Sequence, residues 1–226
     1  MGFGSGFELG ACGGGGGGES SLTAEILADS PVGFWKLNDP AGNFVDSSGN
    51  GFDLTPSGTI VRGVDGPLSG SKAAQFDAGS TAVRTPAISD LTSGITIEGW
   101  IFITDDTVMN LIVQNMGAGN GYGIYIGAEP KVHIIMQGVV DVAGRFLVPV
   151  GQWNYVSAVR DSAIWTIYLN GNIDSQPSTA VPFAPSTGTG VANTQTADGT
   201  RLAYCALYNT ALSTERIVAH ATATLP

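Results

Sequence analysis

Positive charge is the scarcest property of this chain. Nine Lys plus Arg stand against nineteen Asp plus Glu, a net charge of −10, and no basic cluster occurs anywhere in the sequence. Coulomb repulsion therefore opposes contact with nucleic-acid phosphates, anionic membranes and strongly anionic glycans. Charge of either sign is sparse, 12% of residues against roughly 25% in an ordinary soluble domain, so the surface is built mainly from Ser, Thr, Asn and Gly. Cysteine is limited to Cys12 and Cys205. The second falls in an apolar strand pattern and reads as a buried thiol, with Cys12 free. Histidine is limited to His133 and His220, which leaves no Cys/His set for zinc and no Ser/His/Asp arrangement for nucleophilic catalysis. No apolar run approaches the roughly 20 residues of a membrane-spanning helix. Residues 1–20 also lack the positive start and apolar stretch of a secretory signal.

What the chain has in excess is glycine, 33 of 226 residues, ten of them among the first eighteen. A run such as GACGGGGGG has almost no side chain to bury and loses much backbone entropy on ordering, so it forms no core of its own. Residues 1–20 are read as an arm that docks on a neighbour, with Phe3, Phe7 and Leu9 as apolar anchors, ahead of one domain over 21–226. The remaining glycines punctuate short apolar segments, which suits tight turns rather than long helices.

Those segments read as strands: 32–37, 73–76, 95–103, 110–115, 122–127, 131–137, 154–160, 163–169 and 200–208. In ITIEGWIFI the residues Ile95, Ile97, Ile101 and Ile103 share one face and Thr96, Glu98, Trp100 and Phe102 the other, so bulk on both sides marks a central strand. Segments 154–160 and 163–169 are spaced as a hairpin, and LNGN (169–172) supplies the Asn-Gly of a tight reversal. A helical turn over 22–28 precedes Pro31. A second helix follows Ser213, which caps it, with Glu215 in its first turn and Leu212 and Ile217 spaced as a hydrophobic staple.

The run ILADSPVGFWKLNDPAGNFVDSSGNGFDL (26–54), followed in order by AAQFDAGSTAVRTP (73–86), ITIEGWIFI (95–103), GQWNYVSAVRD (151–161) with IYLNG (167–171), and ALYNTALSTERI (206–217), resembles the laminin-G-like domains of the concanavalin A-like lectin/glucanase superfamily. The resemblance implies an all-β jelly-roll sandwich of two antiparallel sheets with one short C-terminal helix. It does not fix activity, because that fold carries binders, glycosidases and structural modules.

Glycosidases of this fold place acidic side chains two residues apart on one strand face. Here Glu98 is followed on its face by Trp100 and Phe102, so no enzyme is expected. Some relatives bind calcium through an acidic side chain and carbonyls. Asp46 and Asn50 in VDSSGNG offer such a turn, but the acidic pair that many relatives carry just before the final YN-ALS segment reads Ala203 and Tyr204, so no cofactor is expected beyond a calcium option at Asp46 and Asn50. For a glycan, the tryptophans read as core. Tyr122 in GAGNGYG is the stacking candidate, with Asn115, Asn120, Asp105 and Asp106 as hydrogen-bonding partners. Similar domains are frequent in tailed-phage structural and appendage proteins. The first reading is thus a non-enzymatic virion subunit, a head-decoration or fibre protein. It is homo-oligomeric, anchored by its arm to virion proteins or copies of itself, assembled in the host cytoplasm and exposed to glycans after lysis. The alternative is a carbohydrate-binding module of a secreted or surface bacterial protein.

Overall fold

The computed structural model describes residues 17–88, 94–105, 110–117, 120–127, 129–162, 164–179, 188–193 and 195–223. Helix α1 (Gly17–Ala28) leads into β1 (Gly33–Trp35), β2 (Thr55–Ser57), β3 (Ile60–Asp65), β4 (Lys72–Phe76) and β5 (Thr81–Arg84). The middle of the chain forms β6 (Gly94–Phe102), β7 (Asn110–Gly117), β8 (Asn120–Ile126), β9 (Lys131–Met136) and β10 (Val140–Leu147). Then come β11 (Trp153–Asp161), β12 (Ile164–Leu169), β13 (Asn172–Ser178), β14 (Gly188–Val191), β15 (Thr200–Tyr208) and α2 (Thr214–Thr222).

The strands form two antiparallel sheets. One runs β13-β12-β11-β6-β15-β4-β3, with β1 paired to β15; the other runs β10-β9-β8-β7-β14-β5-β2. Fold class, sheet arrangement and the short C-terminal helix are as the sequence implies. The expected hairpin forms between β11 and β12, with Asp161 opposite Ile164. The Asn-Gly turn joins β12 to β13 with Asn170 and Gly171 both at positive φ, 51° and 78°, the conformation that a two-residue reversal of this hand requires. Ser213 caps α2 by accepting from the Arg216 amide. The first helix is longer than the sequence suggests. It begins at Gly17, inside the segment read as arm. The calls on Phe3, Phe7, Leu9 and Cys12 lie outside the described residues.

The inner faces of the sheets meet in one core containing Trp35, Phe44, Phe76, Ile97, Ile101, Ile112, Ile124, Trp165 and Leu207, all fully or almost fully buried. Gly99 is what lets the layers close here. A Cβ at that position would lie 2.7 Å from Ile112 Cγ2 and 3.1 Å from Cys205 Sγ. Cys205 is a free, buried thiol, and burial pushes its pKa well up. It points inward because β15 carries a bulge. Ala203 pairs with Trp100 but Ala206 with Glu98, and Tyr204, at φ 51°, absorbs the extra residue. The bulge reverses the alternation, sending Ala203 and Tyr204 outward, where Tyr204 stacks on Phe34 with ring centroids 6.4 Å apart.

Both helices lie on the outer face of the eight-stranded sheet. Leu22 and Ile26 of α1 are 0% and 1% exposed against Phe34, Ala73, Ala203 and Tyr208. Burial of each contributes on the order of 2 kcal/mol. Beneath α2 lies Glu98, 0% exposed. It accepts hydrogen bonds from the Tyr155 hydroxyl and, at 2.6 Å, from the Tyr208 hydroxyl, and faces His220 Nδ1 at 3.0 Å. His220 Nε2 lies 3.1 Å from Asp29 Oδ2, near enough for an ion pair but off the angle of a hydrogen bond. Arg216 adds charged hydrogen bonds to Asp29 and Glu25, tying α2 to α1. Burial alone would lower the His220 pKa, but the Glu98 carboxylate, with Asp29 beyond it, outweighs that and raises it. Each expected oddity of β6 and α2, an acid mid-strand and a histidine late in a helix, is thereby explained by the other.

Candidate functional site

Among the described residues, polar side chains gather in the open at one end of the sandwich, where the chain leaves β4 and β6 and enters β15. A cavity of about 450 Å³ there is lined by Ala78, Thr104, Asp105, Gln195, Thr196 and Asp198. Its shape is set by backbone bonds. Asp198 Oδ1 accepts from the Ala78 amide at 2.6 Å, the Asp198 carbonyl accepts from Thr104 Oγ1 at 2.8 Å, and Asn193 Oδ1 accepts from the Gln195 amide at 2.9 Å. Below, buried Asn110 accepts from the Ala197 amide at 3.1 Å and from Thr200 Oγ1 at 2.5 Å. The three connecting segments are thus tied to one another and to the sheet, while Thr104, Asp105, Gln195 and Asp198 stay exposed at the rim. Such a rim offers hydroxyl, amide and carboxylate groups on a fixed frame, the equipment for hydrogen bonding a polyhydroxy ligand.

Phe102, two residues before Thr104 on the outward face of β6, continues the rim onto the sheet. Its ring meets Trp153 edge-on with centroids 5.9 Å apart, and the Arg201 guanidinium lies over it at 4.8 Å. Phe102, Trp153 and Arg201 are half-buried, and Arg201 Nε is buried with no acceptor among the described residues.

The sequence-derived candidates do not converge. Asp105 lines the cavity, and Asp106 lies outside the described residues. The reading of Tyr122 as the residue that stacks on a glycan is corrected. It sits within β8, 1% exposed, tilted against Trp165 with centroids 6.0 Å apart. Burial raises its pKa. Asn115 is likewise buried. It donates to the Ile88 carbonyl at 2.8 Å and the Tyr122 hydroxyl at 3.2 Å, and accepts from Thr189 Oγ1 at 2.8 Å. These bonds lock the end of the sandwich opposite the cavity, so Asn115 and Tyr122 face away from Asp105. Asn120 is half-buried within β8, paired to Gly117.

The calcium candidates are engaged locally. Asp46 Oδ1 accepts from the Phe34 and Ser48 amides, and Oδ2 accepts from the Phe52 amide and Ser48 Oγ, all within 3.0 Å. The Asn50 side-chain amide donates to the Val32 carbonyl at 2.9 Å. The four bonds to Asp46 hold the 45–52 loop together and tie it to β1 through Phe34. Among the described residues, no group of three His, Cys, Asp or Glu side chains is placed to hold a metal ion.

The residues that sequence reasoning passed over are Thr104, Gln195, Asp198, Phe102, Trp153 and Arg201. Only the outward-facing Trp100 and Phe102 of β6 left a signal, bulk opposite the core face.

Residues 77–218 match the family model described as the concanavalin A-like lectin/glucanases superfamily. Among solved structures, the chain is similar to the binding domain of botulinum neurotoxin serotype G, with a TM-score of 0.64 and 10% identity over 84% of this chain and 50% of that one. It is similar to the binding domain of Paraclostridial Mosquitocidal Protein 1, with a TM-score of 0.66 and 16% identity over 85% and 52%. A third similar structure is the botulinum neurotoxin serotype D ligand-binding domain in complex with N-acetylneuraminic acid, with a TM-score of 0.63 and 14% identity over 89% and 52%. The chain spans about half the length of these domains, and at such identities the likeness is one of fold. No curated protein sequence matches it.

Proposed function

Because the chain belongs to the concanavalin A-like lectin/glucanases superfamily, we propose that it is a non-enzymatic, lectin-like binding module whose glycan site is the cavity at the β4, β6 and β15 end. One observation carries this reading: exposed Thr104, Asp105, Gln195 and Asp198 converge on a cavity of about 450 Å³, with Thr104 two residues along the chain from the half-buried Phe102. Hydrogen-bonding groups around an aromatic edge are the combination that a sugar ring requires. The serotype D toxin domain, solved with N-acetylneuraminic acid, supports glycan binding on this fold. The non-enzymatic reading is supported by the strand chemistry. The carboxylate within β6, Glu98, lies under α2 in contact with two tyrosines and a histidine, and Asp198 holds the Ala78 amide.

An array of linear neutral oligosaccharides, in gluco-, manno-, galacto- and xylo- series, tests the proposal on the full chain. Saturable binding that falls roughly tenfold or more in Gln195→Ala with Asp105→Ala, with no release of reducing sugar, is expected. Absence of binding, binding unchanged in the double variant, or hydrolysis overturns it.

A second reading concerns where the module is displayed. Helix α1 is held to the sheet by Leu22 and Ile26, and Glu25, with Asp29 just beyond the helix end, bonds Arg216 of α2, so a glycine-rich arm attached at Gly17 has a fixed origin. This supports residues 1–16 docking the module on a larger assembly, as in a virion head-decoration or fibre subunit. Deleting residues 2–16 should leave the sandwich folded and abolish its incorporation into particles. Normal incorporation of the shortened chain would defeat the docking role.

A further inference from the structure

The first line of side chains inward from the cavity crosses five strands in register. Trp153 is opposite Phe102, Phe102 opposite Arg201, Arg201 opposite Gln75, and Gln75 opposite Val61. Directly paired residues share a face, so these five form one row on the outer surface of the eight-stranded sheet. At a strand spacing of about 4.8 Å the row is roughly 19 Å long. Helices α1 and α2 cover the neighbouring rows, through Ala73 and Ala203 on one side of Trp100 and through Tyr155 and Glu98 further along. This row itself stays partly open: Trp153, Phe102, Arg201 and Gln75 are half-buried and Val61 is 45% exposed.

The chemistry of the row is ordered as two aromatic rings, a guanidinium, an amide and an aliphatic group. Four of its five strands, β11, β6, β15 and β4, are paired on both sides, and β3, at the Val61 end, is a sheet edge, so an extended peptide, which binds by adding a strand, would lie along β3 and not across the row. What is offered is two half-buried rings followed by two hydrogen-bonding side chains, spaced by one strand each. That spacing is close to the length of one sugar residue in an extended chain. The setting is acidic. Asp105 and Asp198 stand at the cavity, the net charge is −10, and Arg201 is the one cation of the row. An anionic chain is therefore opposed.

We infer that this row is an extended subsite for a linear, uncharged oligosaccharide. One residue of the ligand occupies the cavity and the following ones run over Arg201, Phe102 and Trp153. The inference rests on the cavity being a glycan site, and it adds a prediction that the cavity alone does not make: affinity grows with chain length.

Calorimetric titration of the full chain with the same neutral series, one to six sugar units, reads that dependence directly. The expected result is a rise of roughly tenfold or more between one and four units, then a plateau. Trp153→Ala and Arg201→Gln should each remove the rise. Because Trp153 also packs against the helical layer, Trp153→Tyr, which keeps a ring, serves as the folded control and should retain most of the rise. Sialyllactose should bind more weakly than lactose. A flat length series with single-unit binding intact overturns the row and leaves the cavity standing. Absence of binding at every length overturns both. A rise that survives both Trp153→Ala and Arg201→Gln, or preference for sialyllactose, overturns the inference in its row or in its uncharged ligand.

Discussion

Glu98 and Phe102 stand four residues apart on the same strand and the same outward face, yet they meet opposite fates. Glu98 is 0% exposed, enclosed by Tyr155, Tyr208 and His220 under α2. Phe102 is half-buried two residues before Thr104 of the cavity, bordered by Trp153 and Arg201. Nothing within β6 distinguishes the two positions. The difference is made by a segment that follows more than a hundred residues later, when α2 lies down over one half of the sheet and leaves the other half bare. An ionisable group on that face is tolerated under the helix only because each of its oxygens meets a donor. An aromatic group on the bare half keeps surface that a ligand can cover.

The largest effect expected from this contrast is on the covered half. Glu98→Ala leaves His220 and two tyrosine hydroxyls buried without their acceptor and should lower unfolding free energy by about 3–5 kcal/mol, read from urea midpoints. A variant as stable as the parent would break the comparison. Ile26→Ala should cost about 2–4 kcal/mol by opening a cavity between α1 and the sheet. Loss of the same size in α1 and α2 variants would show that the helices dock as one unit. At the closed end, Tyr122→Phe removes one buried hydrogen bond and should cost about 1 kcal/mol with glycan affinity unchanged in titration. A change in affinity would return Tyr122 to the site.

The His220 contact predicts a pH dependence. Its folded pKa is raised above the ordinary value, so the stabilisation from the charged pair with Glu98 is present in full below about 6.5, the unfolded value. It is lost as pH rises through the folded value. Stability measured from pH 5 to 9 should therefore fall on the alkaline side, and His220→Gln should flatten that fall. The smallest effect belongs to the open half. Arg201→Gln forfeits a half-exposed cation–π contact and should change stability by no more than about 1 kcal/mol, while its effect on oligosaccharide length dependence is large. A larger stability loss would mean that Arg201 belongs to the covered half after all.

Much of this architecture was legible. The alternation in β6, β11, β12 and β15, the Asn-Gly turn and the Ser213 cap all act over a few residues, and the structure follows them. Strands that the residues did not announce have tertiary causes. In β14, GTGV has little strand propensity, but a Cβ at Gly190 would strike the carbonyl of Ala82, so glycine is what admits the strand between its neighbours. The alternating half-exposed pattern of β3 is too polar to stand out from a loop.

For the site, local reading misled because turn-forming neighbours also occur inside strands. NGYG looks like a loop, yet it begins β8 and carries Tyr122 into the core. In VDSSGNG, which suits a tight turn as well as calcium, the Asp46 carboxylate accepts from Ser48, Phe52 and Phe34.

The sequence by itself determined the periodicities, the caps, the turns and the acidic, charge-poor surface, because each depends on contacts within a few residues or on composition alone. Tertiary structure decided which outward-facing side chains are covered and which are left to form a cavity and a row. That depends on strand register and on where α2 lands, and both are set by pairings between residues distant in the sequence, such as Trp153 with Phe102, Arg201 with Gln75 and His220 with Glu98.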